Sequence, residues 1–80
     1  MGARPFTTDE AHFLKSIGFR IQYFRRKTDM SQEQLAEKCG VSPSTIGHIE
    51  STSPYSISLV TLYHIAEALG VSPHQLLFFY

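Results

Sequence analysis

Eighty residues, 42% hydrophobic and 18% charged, suit one small globular domain and argue against a disordered chain. Seven basic and seven acidic side chains cancel to a net charge of zero, which argues against a uniformly basic nucleic-acid binder. A single cysteine, Cys39, excludes an internal disulfide; no apolar run reaches membrane-span length and the N-terminus lacks a secretory apolar stretch, so a cytoplasmic protein is expected.

No segment alternates apolar and polar residues with strand-like composition, whereas helix-capping signals recur. The reading is therefore all-α, with five helices in one domain spanning 1–80. Thr7 and Glu10 form a capping box for the first helix, placed at 8–27, in which Leu14, Ile17, Ile21 and Phe24 share a stripe. Gly18 weakens this helix by about 1 kcal/mol relative to alanine. Its regular part is accordingly expected to begin near Ile17, with residues 9–16 an added turn or two and residues 1–8 a flexible extension. Ser31 and Gln34 cap a second helix at 31–39, with Met30 stapled to Leu35, a stripe of Leu35, Ala36 and Cys39, and Gly40 as its stop. Ser42 at N-cap and Pro43 at N1 open a third, at 42–50, with Val41 stapled to Ile46 and with Ile46 and Ile49 facing inward. Leu59, Leu62, Ile65, Ala66 and Leu69 mark a fourth at 58–69, closed by Gly70. Ser72, Pro73 and Gln75, with Val71 stapled to Leu76, open a fifth at 72–79. Gly-Val-Ser-Pro occurs at 40–43 and again at 70–73, too short to be an internal repeat: one helix stop and start used twice. The expected core is Ile17, Ile21, Phe24, Leu35, Ala36, Ile46, Ile49, Leu62, Ile65 and Leu69.

Charge is unevenly spread. Residues 11–28 carry Lys15, Arg20, Arg25, Arg26 and Lys27 and no acid, while residues 39–80 carry only Glu50 and Glu67 and no Lys or Arg. The basic run is either a solvated helix face or a phosphate-facing patch near the end of the first helix. A connection of about three residues around Gly40, between two short helices, is a helix-turn-helix arrangement whose second helix projects for recognition. On that helix Ser44, Gly47, His48 and Ser51 share a face that is small and neutral. Ser44 and His48 can hydrogen-bond base edges, and the Thr45 methyl can touch a thymine methyl.

Ser31-Gln32, Leu35-Ala36, Gly40, Ile46, Ile49-Glu50 and the stretch TLYHIAEALGVSPHQLL at 61–77 together resemble the phage-repressor-like group, which includes the lambda and 434 repressors, Cro and Xre-type regulators. The resemblance runs from about Ile17 to Leu77. It implies a five-helix lambda-repressor-like domain and a sequence-specific regulator of transcription, a repressor, that reads the major groove of double-stranded DNA with helix 42–50. It implies base contacts from Pro43, Ser44, Gly47 and His48, to which Thr45 is added. Gln32 matches a glutamine that binds phosphate and braces the recognition helix, and Ala36 the small residue at the helix crossing. Arg25 and Glu50 match a structural pair whose arginine also lies near phosphate. Ser42, Ser51 and Thr52 complete the expected phosphate contacts. The loop 51–58 departs from the group's pattern: its glycine and basic residues are absent and Ile57 stands where a proline is frequent. Ser51, Thr52, Ser53 and Tyr55 would then offer neutral hydrogen bonds instead.

The apolar end of the fifth helix, Leu77, Phe78, Phe79 and Tyr80, is expected to form a two-fold homodimer contact, in line with half-sites about one helical turn apart. Zero net charge, the neutral third helix and this tail keep an alternative open: a protein-interaction or antitoxin-like module with a protein partner. No cofactor or metal is expected, since His12, His64 and His74 lack ligand spacing with Cys39 or an acid. No nucleophile–base triad, phosphate loop or paired-carboxylate cleft is legible, and no enzyme is expected.

Overall fold

The computed structural model describes residues 5–78, which fold into five helices: α1 (Thr8–Lys27), α2 (Gln32–Cys39), α3 (Pro43–Glu50), α4 (Leu59–Leu69) and α5 (Pro73–Leu77). Their starts follow the capping residues. The Thr7 hydroxyl accepts from the Glu10 N–H (3.1 Å) while Glu10 Oε1 accepts from the Thr7 N–H (2.9 Å). Ser31 and Gln34 repeat the reciprocal bonds at 3.0 and 2.8 Å. Ser42 and Ser58 accept from the N–H groups of Thr45 and Thr61. Gly40 and Gly70 close α2 and α4 in the left-handed conformation, at φ 70° and 72°. There the Val41 N–H reaches the Ala36 carbonyl (3.1 Å) and the Val71 N–H reaches Ala66 (3.0 Å), so both Gly-Val-Ser-Pro segments end a helix by the same bonds, while the next helix starts differently: Ser42 accepts from the Thr45 N–H, and the Ser72 N–H donates to Gln75 Oε1 (2.8 Å).

The core comprises the ten residues expected from the stripes together with Ala66 and Leu76. Met30, Val41 and Val71, the staple residues, pack against it, as does Ile57 of the α3–α4 loop. Helix α2 packs on α3 and α4, and α1 on α3, α4 and α5. α5 is docked by Leu76, which is fully buried.

Three expectations need correction. α1 has the expected bounds, 8–27, but its regular part does not wait until Ile17: it runs unbroken from Thr8 with Thr7 as its cap, so these two residues belong to the helix and its cap and not to the expected extension over 1–8. Gly18 is also more than a weak point. A Cβ there would collide with the main-chain carbonyl oxygen of Ile49, so glycine is what lets α1 lie directly against the end of α3. α5 ends at Leu77 with Phe78 extended beyond it, shorter than the expected helix to 79. Phe79 and Tyr80, and residues 1–4 of the expected extension, lie outside the described residues. Among the described residues no helix is long and apolar enough to cross a membrane.

Candidate nucleic-acid interface

α3 turns Ile46 and Ile49 into the core and leaves Pro43, Ser44 and His48 exposed, with Thr45 and Gly47 half-buried. Its first turn carries a cluster of hydroxyls. Ser42 Oγ lies 3.0 Å from Ser44 Oγ and 2.9 Å from Thr45 Oγ1, besides capping the Thr45 N–H. Each hydroxyl can rotate to donate or accept, so the cluster can exchange internal bonds for bonds to an incoming base edge or phosphate. At Gly47 an added Cβ would meet only Gln32 Oε1, at 3.7 Å, which is ordinary contact.

The other end of α3 is held by Glu50, whose side chain is only 1% exposed. Its Oε2 accepts from Arg25 Nε at 2.7 Å, and its Oε1 accepts from Arg25 Nη2 (2.8 Å), Gln32 Nε2 (3.2 Å) and Gln22 Nε2 (3.4 Å). One carboxylate thus ties α1 and α2 to the last turn of α3. A negative charge at a helix C-terminus opposes the helix dipole, and the bidentate arginine offsets this as well as satisfying the buried oxygens. Hydrogen bonding to Glu50 raises the Arg25 pKa above its ordinary value, outweighing the opposite effect of burial. Gly18, Gln22 and Arg25 fall on one face of α1, so the close approach permitted by the glycine brings the two side chains to Glu50.

These bonds bear on the expected phosphate contacts. Arg25 also donates from Nη1 to the Met30 carbonyl (2.7 Å) and is 8% exposed, so three of its donors point inward and its structural role is the one observed. Arg20 is likewise occupied: its Nε donates to the Gln75 carbonyl of α5 at 3.1 Å, and its guanidinium lies 4.9 Å from the Phe24 ring centroid. Arg26 and Lys27 are exposed. With Phe19, Gln22 and Tyr23 they line an open groove of about 470 Å³ that reaches the end of α3 through Gln22. Ser51 Oγ is engaged within the loop, donating to the His48 carbonyl at 2.8 Å and accepting from the Ser53 N–H at 3.3 Å, whereas Thr52 is exposed. Gln32 is half-buried, at the N-terminus of α2, with its amide on Glu50. The tail residues Leu77 and Phe78 are 38% and 65% exposed.

Three participants were not singled out for these roles in the sequence. Gln22 lies three residues before Arg25, and a polar residue on the inward side of a stripe is its only trace. Gly18 reads as a defect until its neighbour is known. Tyr55, expected as a hydrogen-bonding residue, instead stacks on His48, with ring centroids 5.9 Å apart and planes 7° from parallel. Among the described residues no group of three or more His, Cys, Asp or Glu could hold a metal ion. Cys39 is half-buried, and desolvation raises its thiol pKa.

The sequence profile of the HTH_3 helix-turn-helix family matches residues 21–76, the segment that contains α2, the Gly40 turn, α3 and the Glu50 anchor. The chain belongs to this helix-turn-helix family. Within the family it is similar to a hypothetical transcription factor of Neisseria meningitidis, at 32% identity over 69 residues, 86% of this chain and 64% of that protein. It is also similar to the transcriptional regulator SinR of Bacillus subtilis, at 38% identity over 61 residues, 76% of this chain and 55% of SinR. The chain therefore spans between about half and two thirds of the length of these curated relatives. A crystal structure of SinR in complex with DNA superposes with a TM-score of 0.73 at 37% identity, covering 78% of this chain and 98% of that one.

Proposed function

We propose that this chain is a sequence-specific DNA-binding domain of a cytoplasmic transcription regulator, acting as a repressor. The observation that carries the proposal is the braced α3. Its C-terminal end is fixed by Glu50 to two other helices, while its outward face presents Pro43, Ser44, Thr45, Gly47 and His48 to the major groove. Similarity to SinR, solved with DNA, supports the same reading. Phosphate affinity then comes from the free N–H groups at the starts of α2 and α3, with Gln32 and Ser42, from Thr52, and from Arg26 and Lys27. Arg25 acts chiefly as the brace, and Ser51 as the loop's tie. Two copies would pair through the tail at Leu77 and Phe78 and bind two half-sites.

The test is selection of bound duplexes from a random library, followed by binding of the selected site across a range of salt. Wild type should enrich one motif. Ser44→Ala and His48→Ala should each relax it at particular base pairs, by about 1–3 kcal/mol, with the salt slope nearly unchanged. Arg26→Ala and Lys27→Ala should each weaken binding to all sequences and make the slope shallower by about one unit. Enrichment of no motif, together with capture of a protein partner, would instead establish the interaction-module alternative.

A further inference from the structure

We infer that Tyr55 is a positioning residue for base reading: by stacking on His48 it fixes the plane in which that imidazole is offered to DNA. The inference rests on the proposed reading by α3 and adds a residue that lies outside the recognition helix. An exposed histidine on a helix has several accessible rotamers, and ordering one of them on binding costs conformational entropy. Here the ring is already held. Tyr55, in the loop, lies parallel to it and displaced sideways, with a centroid separation of 5.9 Å and an interplanar angle of 7°, an offset-stacked pair. The loop is shaped to make this contact. The Ser51 hydroxyl donates to the His48 carbonyl (2.8 Å) and accepts from the Ser53 N–H (3.3 Å), which folds the chain back over the last turn of α3. Ile57 packs against the core and anchors the far side of the loop.

Stacked and offset, the phenol ring lies to one side of the imidazole plane, out of the in-plane directions in which the ring nitrogens donate or accept. A purine N7 or O6 is recognised along those directions, by a donating or an accepting nitrogen according to the tautomer. His48 lies one helical turn after Ser44, so a fixed ring plane also fixes the register between the two base-reading side chains. The loop thus influences sequence preference without a basic residue and without touching DNA at Tyr55.

Tyr55 is 39% exposed, so its replacement should not unfold the domain. The experiment compares Tyr55→Leu, Tyr55→Phe, His48→Ala and the Tyr55→Leu/His48→Ala double variant. In free protein, the His48 ring protons should carry an upfield ring-current shift by NMR that persists in Tyr55→Phe and disappears in Tyr55→Leu. In duplex selection, Tyr55→Leu should lower discrimination two- to tenfold, at the same base pairs that His48→Ala affects and not at those of Ser44→Ala. Tyr55→Phe should restore it, and the double variant should be no worse than His48→Ala. The inference is overturned if wild type shows no ring-current shift, or if Tyr55→Leu keeps the preference that His48→Ala loses. If wild type selects no motif at all, the DNA-reading proposal fails and takes this inference with it. If only the Tyr55 variants behave as wild type, the inference alone falls.

Discussion

Gly18 and Gly47 both lie inside helices, and replacing each by alanine should move stability in opposite directions. Helix propensity alone favours both substitutions by about 1 kcal/mol. At Gly47 little opposes this gain, because the new Cβ meets only Gln32 Oε1 at 3.7 Å. At Gly18 the new Cβ would overlap the Ile49 carbonyl oxygen, with the Ile49 carbonyl carbon at 3.4 Å and Glu50 Cα at 3.7 Å. The obstacle is main chain, which cannot rotate aside, so α1 must withdraw from α3 by on the order of 1 Å to reach ordinary contact. That movement stretches the Arg25–Glu50 bonds, now 2.7 and 2.8 Å, and loosens the core between the helices. Overpacking typically costs about 1–3 kcal/mol, and a main-chain clash belongs at the upper end; less the propensity gain, the net loss is about 2 kcal/mol. For a domain of this size that lowers the unfolding midpoint by roughly 10 °C, while Gly47→Ala raises it by a few degrees. Thermal and urea unfolding of the two variants beside wild type measures both. A Gly18→Ala protein as stable as wild type, or more so, would refute the close approach and return Gly18 to the status of a weak point in α1.

Glu50→Ala leaves the Arg25 guanidinium buried without its carboxylate and should cost about 3–5 kcal/mol in urea unfolding, far more than a surface pair would. Cys39 should react with iodoacetamide more slowly in the native protein than in urea, because burial raises its thiol pKa. The same shift predicts that stability is complete below the ordinary thiol value of about 8.5 and declines as pH rises from there toward the folded value, a decline that Cys39→Ser should lessen in urea midpoints between pH 7 and 10. Phe78→Ser should shift the protein toward monomer in sedimentation velocity if the tail forms the two-fold contact; an unchanged distribution would place that contact elsewhere.

What the sequence made legible was local. A cap needs only a hydroxyl, reinforced by a glutamate or glutamine three residues on or by a proline at the first helical position, and a helix stop needs only a glycine, so the helix starts at 8, 32, 43 and 73 follow from short-range chemistry; the start at 59 was placed from its apolar stripe, and its cap, Ser58, was not singled out. The core residues followed from periodicity for the same reason; Ala66 and Leu76 were marked on their helices although only the other ten were placed in the core. Gly18 was misread because its meaning depends on the Ile49 carbonyl of a different helix. The basic run was legible only in part: the Arg25–Glu50 brace was expected from the resemblance, but nothing within the run reveals that Arg25 also donates to the Met30 carbonyl or that Arg20 donates to the Gln75 carbonyl of α5. Tyr55 was noticed, yet the aromatic face and not the hydroxyl makes its contact with His48, and no spacing rule connects a loop tyrosine to a helical histidine.

Zero net charge is compatible with DNA binding once the charges are assigned to places. Arg25 and Glu50 neutralise each other in the interior, and Arg20 is committed to α5. Around α3 itself the surface is almost uncharged, and on the proposed reading formal charge is supplied from the side by Arg26 and Lys27. Non-specific DNA binding is almost wholly electrostatic, so few exposed cations mean weak attraction to random sequence. Hydroxyl and imidazole contacts lose nothing by this, since each discriminates between bases by geometry, at about 1–3 kcal/mol apiece. Such a domain favours selectivity over affinity, and a single copy would hold its site weakly. Joining two copies restores affinity without adding charge, because the second half-site is then bound at high effective concentration. On the proposed reading the neutral α3 and the tail contact therefore go together: a reader this sparing of charge would need its partner copy.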